Sequence, residues 1–209
     1  MTITAAADGS ALGNPGPAGW AWYVADSCWA AGGWAHATNN QGELKAVLEL
    51  FRATAHIDED LLVLCDSQYV INSVTKWMRG WKEKGWRKAD GKPVMNLELF
   101  KEIDAELVGR KYRFEWVKGH ANHPLNEAAD ERAHAAAEAF QRHRAVPAGP
   151  GFVRDGSIAA ARVATVSVAE EPATLRSVTF ALCADEHARL VQRAKLRGVS
   201  IEELLRGLI

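Results

Sequence analysis

Short apolar segments separated by glycine-rich turns make up the beginning of the chain. Three of these segments have the length and composition of β-strands: Thr2–Ala7, Ala18–Ala25 and Trp29–Ala37. The connections between them, GSALGNPGPAG and ADS, consist largely of turn-forming residues. Short strands joined in this way predict an antiparallel meander.

A helical spacing of apolar residues follows the meander. The positions i, i+3, i+4 and i+7 of one helix face are occupied by Leu44, Val47, Leu48 and Phe51. This spacing predicts a helix over Glu43–Ala55 that packs on a sheet. The next apolar run, Leu61–Cys65, is continuous, which is typical of a strand covered on both faces.

The rest of the first 144 residues supplies the other elements of the predicted fold. Helices are predicted at Gln68–Lys76, Asn96–Val108 and Asn126–Arg144, and a strand at Arg113–Val117. The order of elements is β-β-β-α-β-α-α-β-α. It predicts an α/β fold in which helices flank a mixed five-stranded sheet.

Composition excludes several classes of protein. The chain has 209 residues, of which 48% are apolar and 24% are charged, so it is neither a wholly disordered chain nor a collagen. No apolar run approaches the ~20 residues of a membrane-spanning helix. The first ten residues, MTITAAADGS, lack the basic and apolar regions of a signal peptide. With three widely spaced cysteines, we expect a cytoplasmic protein without a membrane partner.

The composition changes twice along the chain. Residues 1–144 are rich in tryptophan, charge and patterned segments, whereas residues 145–173 are rich in small residues, glycine and proline. The second region is predicted to be a linker. Pattern returns in residues 174–209, which we expect to form a separate C-terminal module.

Charge is distributed unevenly, although the net charge is only −1. The segment from Lys76 to Lys92 contains seven basic and two acidic residues, a local charge of +5. Three tryptophans are interleaved with these charges. Basic and aromatic side chains together favour nucleic acid, because they neutralise phosphates and pack on sugars or bases. The alternative is a helix with buried tryptophans and a solvated charged face.

Four acidic residues occupy positions where predicted strands or helices begin or end: Asp8, Glu43, Asp66 and Asp130. Acidic residues at strand ends of an α/β protein gather on one rim of the sheet. Clustered carboxylates repel one another unless cations neutralise them, and hard oxygen ligands suit Mg²⁺ or Mn²⁺. Each residue alone also has an ordinary explanation as a turn, helix-cap or solvated helix residue.

Four sequence motifs occur in the order DGSALGNPGPAGWA, TNNQGELKAV, DSQYVINSVTKWMRGWKEKGW and WVKGHANHPLNEAADERA. In these motifs residues 1–144 resemble a type 1 ribonuclease H. The resemblance implies an endonuclease that hydrolyses the RNA strand of RNA–DNA hybrids. It also implies the same mixed five-stranded sheet that the apolar pattern predicts.

The resemblance further implies which residues carry the reaction. Asp8, Glu43, Asp66 and Asp130 would be catalytic carboxylates holding two Mg²⁺ ions, and the loop residue His120 would relay protons or aid product release. Hydrolysis would leave a 5′-phosphate and a 3′-hydroxyl. The implied substrate-binding residues are the groove amides Asn14, Asn39, Asn40 and Gln68 and the protrusion residues Trp77, Trp81, Lys82, Lys84 and Trp86.

The C-terminal module has its own pattern. Val178, Phe180 and Leu182 alternate as in a strand, Ala184–Leu196 is helical, and Ser200 with Glu203 forms a capping box for a second helix. Strand, helix and helix in this order resemble a ribbon-helix-helix module. Such a small unit usually buries its core as an intertwined dimer, so a homodimer through residues 174–209 is expected. A DNA-binding module and a tail packed on its own catalytic domain remain alternatives.

Two other classes of function compete with the enzyme. One is an inactive module that only binds hybrids, but the presence of all four carboxylates speaks against it. The other is a repressor-like protein dominated by its C-terminal module. Such a protein would still bind duplex DNA sequence-specifically after deletion of residues 1–144.

Overall fold

The computed structural model describes residues 2–119 and 123–152, which form one sheet with helices on both faces. The five strands are β1 (Thr2–Ala11), β2 (Gly16–Ala25), β3 (Cys28–Ala37), β4 (Asp60–Cys65) and β5 (Tyr112–Trp116). Their order across the sheet is β3-β2-β1-β4-β5. The first three pair antiparallel, whereas β4 is parallel to both β1 and β5. The predicted meander and the predicted mixed five-stranded sheet are therefore confirmed.

Helix α1 (Asn39–Ala53) begins four residues before the predicted start at Glu43. Thr38 is its N-cap residue, and the side chain of Gln41 completes a capping box with the Thr38 backbone. The first turn is polar, so the apolar spacing could not reveal it. Glu43 consequently lies inside the helix rather than at its start.

The other helices are α2 (Gln68–Asn72), α3 (Met78–Glu83), α4 (Leu97–Glu106) and α5 (Pro124–Gln141). A single π-helical turn, Ser73–Trp77, joins α2 to α3. The predicted helix Gln68–Lys76 is thus the first part of a longer helical segment that ends at Glu83. A π turn inserts one extra residue and rotates the helix face that follows it.

The two faces of the sheet carry different helices. Ala5 and Ala7 of β1 contribute to the main core, which also contains buried side chains of α1, α2 and α4, among them Leu48, Val70 and Phe100. The intervening residue Ala6 lies in a separate cluster with Ala129 of α5. Because successive strand residues point to opposite faces, α5 covers the face opposite α1.

Helix α5 packs on the sheet through very small residues. Ala133 and Ala136 are fully buried against Ala21 and Ala31. A Cβ atom on Gly19 would lie 2.0 Å from the backbone oxygen of Ala133. Contacts this short require glycine, so α5 can approach β2 only because position 19 has no side chain.

The start of the predicted linker lies against the edge strand β3. The Ala31 N–H donates to the Ala148 carbonyl, and the Gly151 N–H donates to the Trp29 carbonyl. Phe152 packs against Trp22 and His56. Residues 146–152 therefore cover an edge that would otherwise expose unpaired backbone groups.

The rest of the predicted linker and the whole C-terminal module, residues 153–209, lie outside the described residues. Within residues 2–119 and 123–152, no helix is both long enough and apolar enough to cross a membrane.

The packing of α5 can be tested at Gly19. We expect Gly19→Ala to lower the free energy of unfolding by about 1–3 kcal/mol, because the new methyl group overlaps the α5 backbone. The matched control is Gly80→Ala in α3, where no atom lies within 4 Å of an added Cβ. Removing a helical glycine there should be neutral or stabilising by up to about 1 kcal/mol. Equal urea-unfolding curves for Gly19→Ala and the wild type would contradict the packing described for α5.

Candidate active site

Asp8 lies within β1, at the centre of the sheet, and is only 5% exposed. The sequence pattern placed it just after the first strand, but β1 continues to Ala11 because Ser10 and Ala11 still pair with β2. The parallel register pairs Ala6 with Leu64. Continued by two residues, it brings Asp8 level with Asp66, the residue that follows β4.

Glu43 is held at both carboxylate oxygens. Ser67 Oγ donates to Glu43 Oε2 at 2.5 Å, and Asn39 Nδ2 donates to Glu43 Oε1 at 2.9 Å. Ser67 is the N-cap residue of α2, and Asn39 lies one turn before Glu43 on α1. The Glu43 side chain is therefore fixed by groups from two helices.

Glycines permit the backbones around the acidic residues to come together. A Cβ on Gly9 would lie 2.2 Å from the Glu43 backbone nitrogen, and a Cβ on Gly42 would lie 2.7 Å from the Gly19 carbonyl oxygen. On the other side, a Cβ on Gly119 would lie 2.4 Å from Asp66 Oδ2. A side chain at Gly9 or Gly42 would push α1, which carries Glu43, away from the sheet, and one at Gly119 would displace the Asp66 carboxylate.

All four predicted carboxylates line a single cleft of about 530 Å³. The lining residues are Asp8, Gly9, Ser10, Ala11, Asn39, Glu43, Asp66, Asp130 and His134. None of these described lining residues is a lysine or an arginine. His120, the predicted loop histidine, lies outside the described residues.

Burial and mutual repulsion disfavour ionisation in this cleft. Burial raises the pKa of Asp8 to about 8, and the negative charges of Asp66, Asp130 and Glu43 add to the effect. Burial also raises the pKa of Glu43 to about 7, against the lowering effect of the hydrogen bond from Ser67. The protein alone therefore does not stabilise four ionised carboxylates at neutral pH.

The chemistry of the donor set fits a hard divalent cation, because the cleft offers carboxylate oxygens and lacks a positive side chain among its described lining. The side chains as placed do not form a ready cage. Within residues 2–119 and 123–152, no three His, Cys, Asp or Glu side chains are grouped closely enough to hold an ion.

Two of the predicted substrate-binding amides make contacts within the protein. Asn14 Oδ1 accepts from the Asn39 backbone N–H at 3.2 Å. The Asn39 side chain is the donor to Glu43 described above. Both residues therefore anchor the start of α1 beside the cleft. Gln68 is exposed at the start of α2.

A second groove, of about 560 Å³, contains much of the basic segment. Its lining combines Asn40 and Tyr69 with the basic and aromatic residues Lys76, Trp77, Trp81, Lys84, Arg87 and Lys88. Trp77 is 43% exposed. Four positive side chains and two indoles thus face one groove, as the sequence pattern of charge and tryptophan led us to expect.

Other members of the basic segment have structural partners. Trp81 packs edge-on against Phe100 of α4, with ring centroids 5.2 Å apart. Lys82 Nζ forms an ion pair with Asp104 Oδ2 at 2.6 Å. Trp86 is half-buried against the main core. The alternative of a helix with buried tryptophans therefore holds for part of the segment.

Sequence reasoning missed three residues that shape the site. Ser67 holds Glu43, Trp116 donates from its indole Nε1 to the Asp66 carbonyl at 3.0 Å, and His134 lines the cleft. For Ser67 and His134, the spacing from a predicted catalytic carboxylate could have indicated a place in the site. Ser67 directly follows Asp66, and His134 lies four residues after Asp130, on the same face of α5.

Comparison with known proteins identifies relatives of this chain. A family model described as RNase H matches residues 1–138. A protein of Tropheryma whipplei named Ribonuclease H is 56% identical over 150 residues, which cover 72% of this chain and 93% of that relative.

Solved structures agree with the sequence comparison. The crystal structure of LC9-RNase H1, a type 1 RNase H with the type 2 active-site motif, is 30% identical with a TM-score of 0.58 and covers 79% of this chain and 84% of that one. The N-terminal RNase H domain of a Mycobacterium tuberculosis protein is 26% identical with a TM-score of 0.53, covering 68% and 97%.

The charge of the cleft predicts how stability depends on pH. The pKa of Asp8 is higher in the folded state than in the unfolded chain, so the metal-free protein should lose stability as pH rises from about 4 to about 8. Asp8→Asn removes this penalty. At pH 8 in EDTA we expect the variant to be more stable than the wild type by on the order of 2–4 kcal/mol, and near pH 4 the difference should vanish.

Urea unfolding at both pH values measures this difference. The control is Asp58→Asn, which changes an exposed carboxylate away from the cleft. Mg²⁺ should stabilise the wild type more than Asp8→Asn. A lower stability of Asp8→Asn than of the wild type at pH 8 in EDTA would show that Asp8 carries no such penalty.

Proposed function

Because the chain belongs to the ribonuclease H family, we propose that it cleaves the RNA strand of RNA–DNA hybrids in the cleft lined by its four carboxylates. Membership in the family makes it an endonuclease of RNA–DNA hybrids. We place the cleavage reaction in this cleft because Asp8, Glu43, Asp66 and Asp130 all line it. None of its described lining residues is a lysine or an arginine.

Asp8, Glu43, Asp66 and Asp130 are the residues that would hold two Mg²⁺ ions. When bound, the ions would supply a Lewis acid for the scissile phosphate and lower the pKa of the attacking water. Mn²⁺ would serve as an alternative with the same oxygen ligands. Phosphodiester hydrolysis in this way leaves a 5′-phosphate and a 3′-hydroxyl.

The other residues of the cleft orient the carboxylates. Ser67 and Asn39 fix the two oxygens of Glu43, so its side chain does not have to be ordered when substrate arrives. Trp116 holds the backbone at Asp66. We propose that His120, four residues after the end of β5 in the sequence, moves a proton or assists release of the product.

The second groove is proposed to bind the DNA strand. Lys76, Lys84, Arg87 and Lys88 would neutralise its phosphates, and the exposed face of Trp77 would pack on its sugars. Asn40 and Gln68 lie at the start of α1 and α2 and would read the RNA side of the duplex through its 2′-hydroxyls. Such contacts recognise sugar and shape, so little sequence preference is expected.

Cleavage of a labelled RNA–DNA hybrid in Mg²⁺ tests the site. Asp66→Asn should reduce the rate by at least about a hundredfold, because the amide is a neutral and weaker ligand. Asp58→Asn, on the exposed surface, is the control and should cleave like the wild type. The product ends should be ligatable without phosphorylation of the 5′ end. Wild-type rates in both Asp8→Asn and Asp66→Asn would rule out the proposed site.

For the C-terminal module we propose a role in dimerisation through residues 174–209, in a cytoplasmic enzyme. The support is the strand-helix-helix pattern of the sequence. Light scattering should report twice the chain mass for the full chain and a single mass for residues 1–152. A single mass for both would exclude the homodimer. Sequence-specific duplex binding by the module alone would favour the DNA-binding alternative.

A further inference from the structure

The carboxylate cleft contains an imidazole that the proposed reaction does not use. His134 lies on α5 one turn after Asp130, and its side chain is 51% exposed. Its ring Nδ1 is 3.2 Å from Ser10 Oγ of β1. The contact joins the helix to the strand across the cleft.

Strand and helix geometry place this pair in line with the carboxylates. Ser10 follows Asp8 by two residues and lies on the same face of β1, and His134 follows Asp130 by four residues on the same face of α5. Two residues of strand or four of helix advance by about 6–7 Å. The Ser10–His134 pair therefore lies beside the Asp8–Asp130 pair at roughly the separation of successive phosphates on a nucleic-acid strand.

Nε2 of His134 has an acidic neighbour but no described hydrogen-bond partner. Glu138 Oε1 is 3.8 Å from Nε2, near enough for an ion pair with a protonated ring but too far for a hydrogen bond. Glu138 accepts instead from Arg142 at 3.2 Å. A neutral imidazole has one donor and one acceptor nitrogen. In the tautomer whose Nδ1 accepts from the Ser10 hydroxyl, the ring proton lies on Nε2.

The phosphates of a nucleic-acid strand are anionic, so a strand bound in this cleft is stabilised by side chains that donate hydrogen bonds to them. Among the described lining residues, the nitrogen donors on side chains are Asn39 and His134. The Asn39 amide already donates to Glu43. His134 is thus the side-chain nitrogen donor of the described lining that remains available to a phosphate.

We propose that His134, oriented by Ser10, donates a hydrogen bond from Nε2 to the phosphate next to the scissile one on the RNA strand. His134 is then a further substrate-binding residue, and Ser10 is its positioning residue. The inference rests on the proposed function of the same cleft.

Steady-state kinetics on a short hybrid test the contact. His134→Ala should raise KM about tenfold and change kcat less than about twofold, because one charge-assisted hydrogen bond to bound substrate is lost. His134→Gln keeps an N–H donor and should recover part of the loss. Ser10→Ala should have a smaller effect than His134→Ala and add nothing to it in the double variant.

A matched control separates this site from any general effect of removing a histidine. His143→Asn changes an exposed histidine beyond the end of α5, at a position with φ of 50° that asparagine tolerates. Its KM should equal that of the wild type. Thermal unfolding of all variants verifies that each is folded.

Substrates with a single neutral methylphosphonate identify the phosphate. For the wild type, one position next to the cleaved bond should raise KM about tenfold, whereas for His134→Ala the same substitution should have little further effect. Equal losses for the two proteins at every position would overturn the contact.

The two proposals can fail separately. Cleavage by the wild type together with an unchanged KM for His134→Ala overturns the role of His134 alone. Absence of hybrid cleavage by the wild type overturns the proposed function and this inference with it.

Discussion

The close approach of α1 and α5 to the central strands β1 and β2 is the constraint on which the cleft depends. Gly9 and Gly42 allow the backbone of α1 to touch β1, and Gly19 allows α5 to touch β2. The first contact sets Glu43 beside Asp8, and the second sets Asp130 over the same strand end. A side chain of even one carbon at these glycines would move α1, which carries Glu43, or α5, which carries Asp130, away from the sheet.

Electrostatics explain why such a cleft is costly for the protein alone and useful with its partners. Burial raises the pKa of both Asp8 and Glu43, and the negative charge of Asp66 adds to each rise. Elsewhere on the same molecule, Lys76, Lys84 and Arg87 line a groove of opposite charge. A net charge of −1 therefore conceals two surfaces, one suited to cations and one suited to phosphates.

Sequence prediction and structure agree where an element buries apolar side chains, and they differ where capping or backbone hydrogen bonds set the structure. The continuous apolar run of β4 and the helical spacing on α1 identified these elements, because both bury apolar side chains in the main core. The first turn of α1 is polar and was missed, since capping by Thr38 rather than burial starts the helix. Residues 146–152 read as linker because their packing on β3 uses backbone hydrogen bonds and only a few apolar side chains.

By itself the sequence determined the five strands, most of the helices, their order and the identity of the four acidic residues, since burial patterns and characteristic motifs are local properties of the chain. Only the tertiary structure decided that Ser67 and Asn39 hold Glu43, that Trp116 supports Asp66 and that Ser10 meets His134. These contacts mostly join residues far apart in sequence, and one of them spans 124 positions. Such pairs are set by strand register and by the distance between helix and sheet, which no local pattern records.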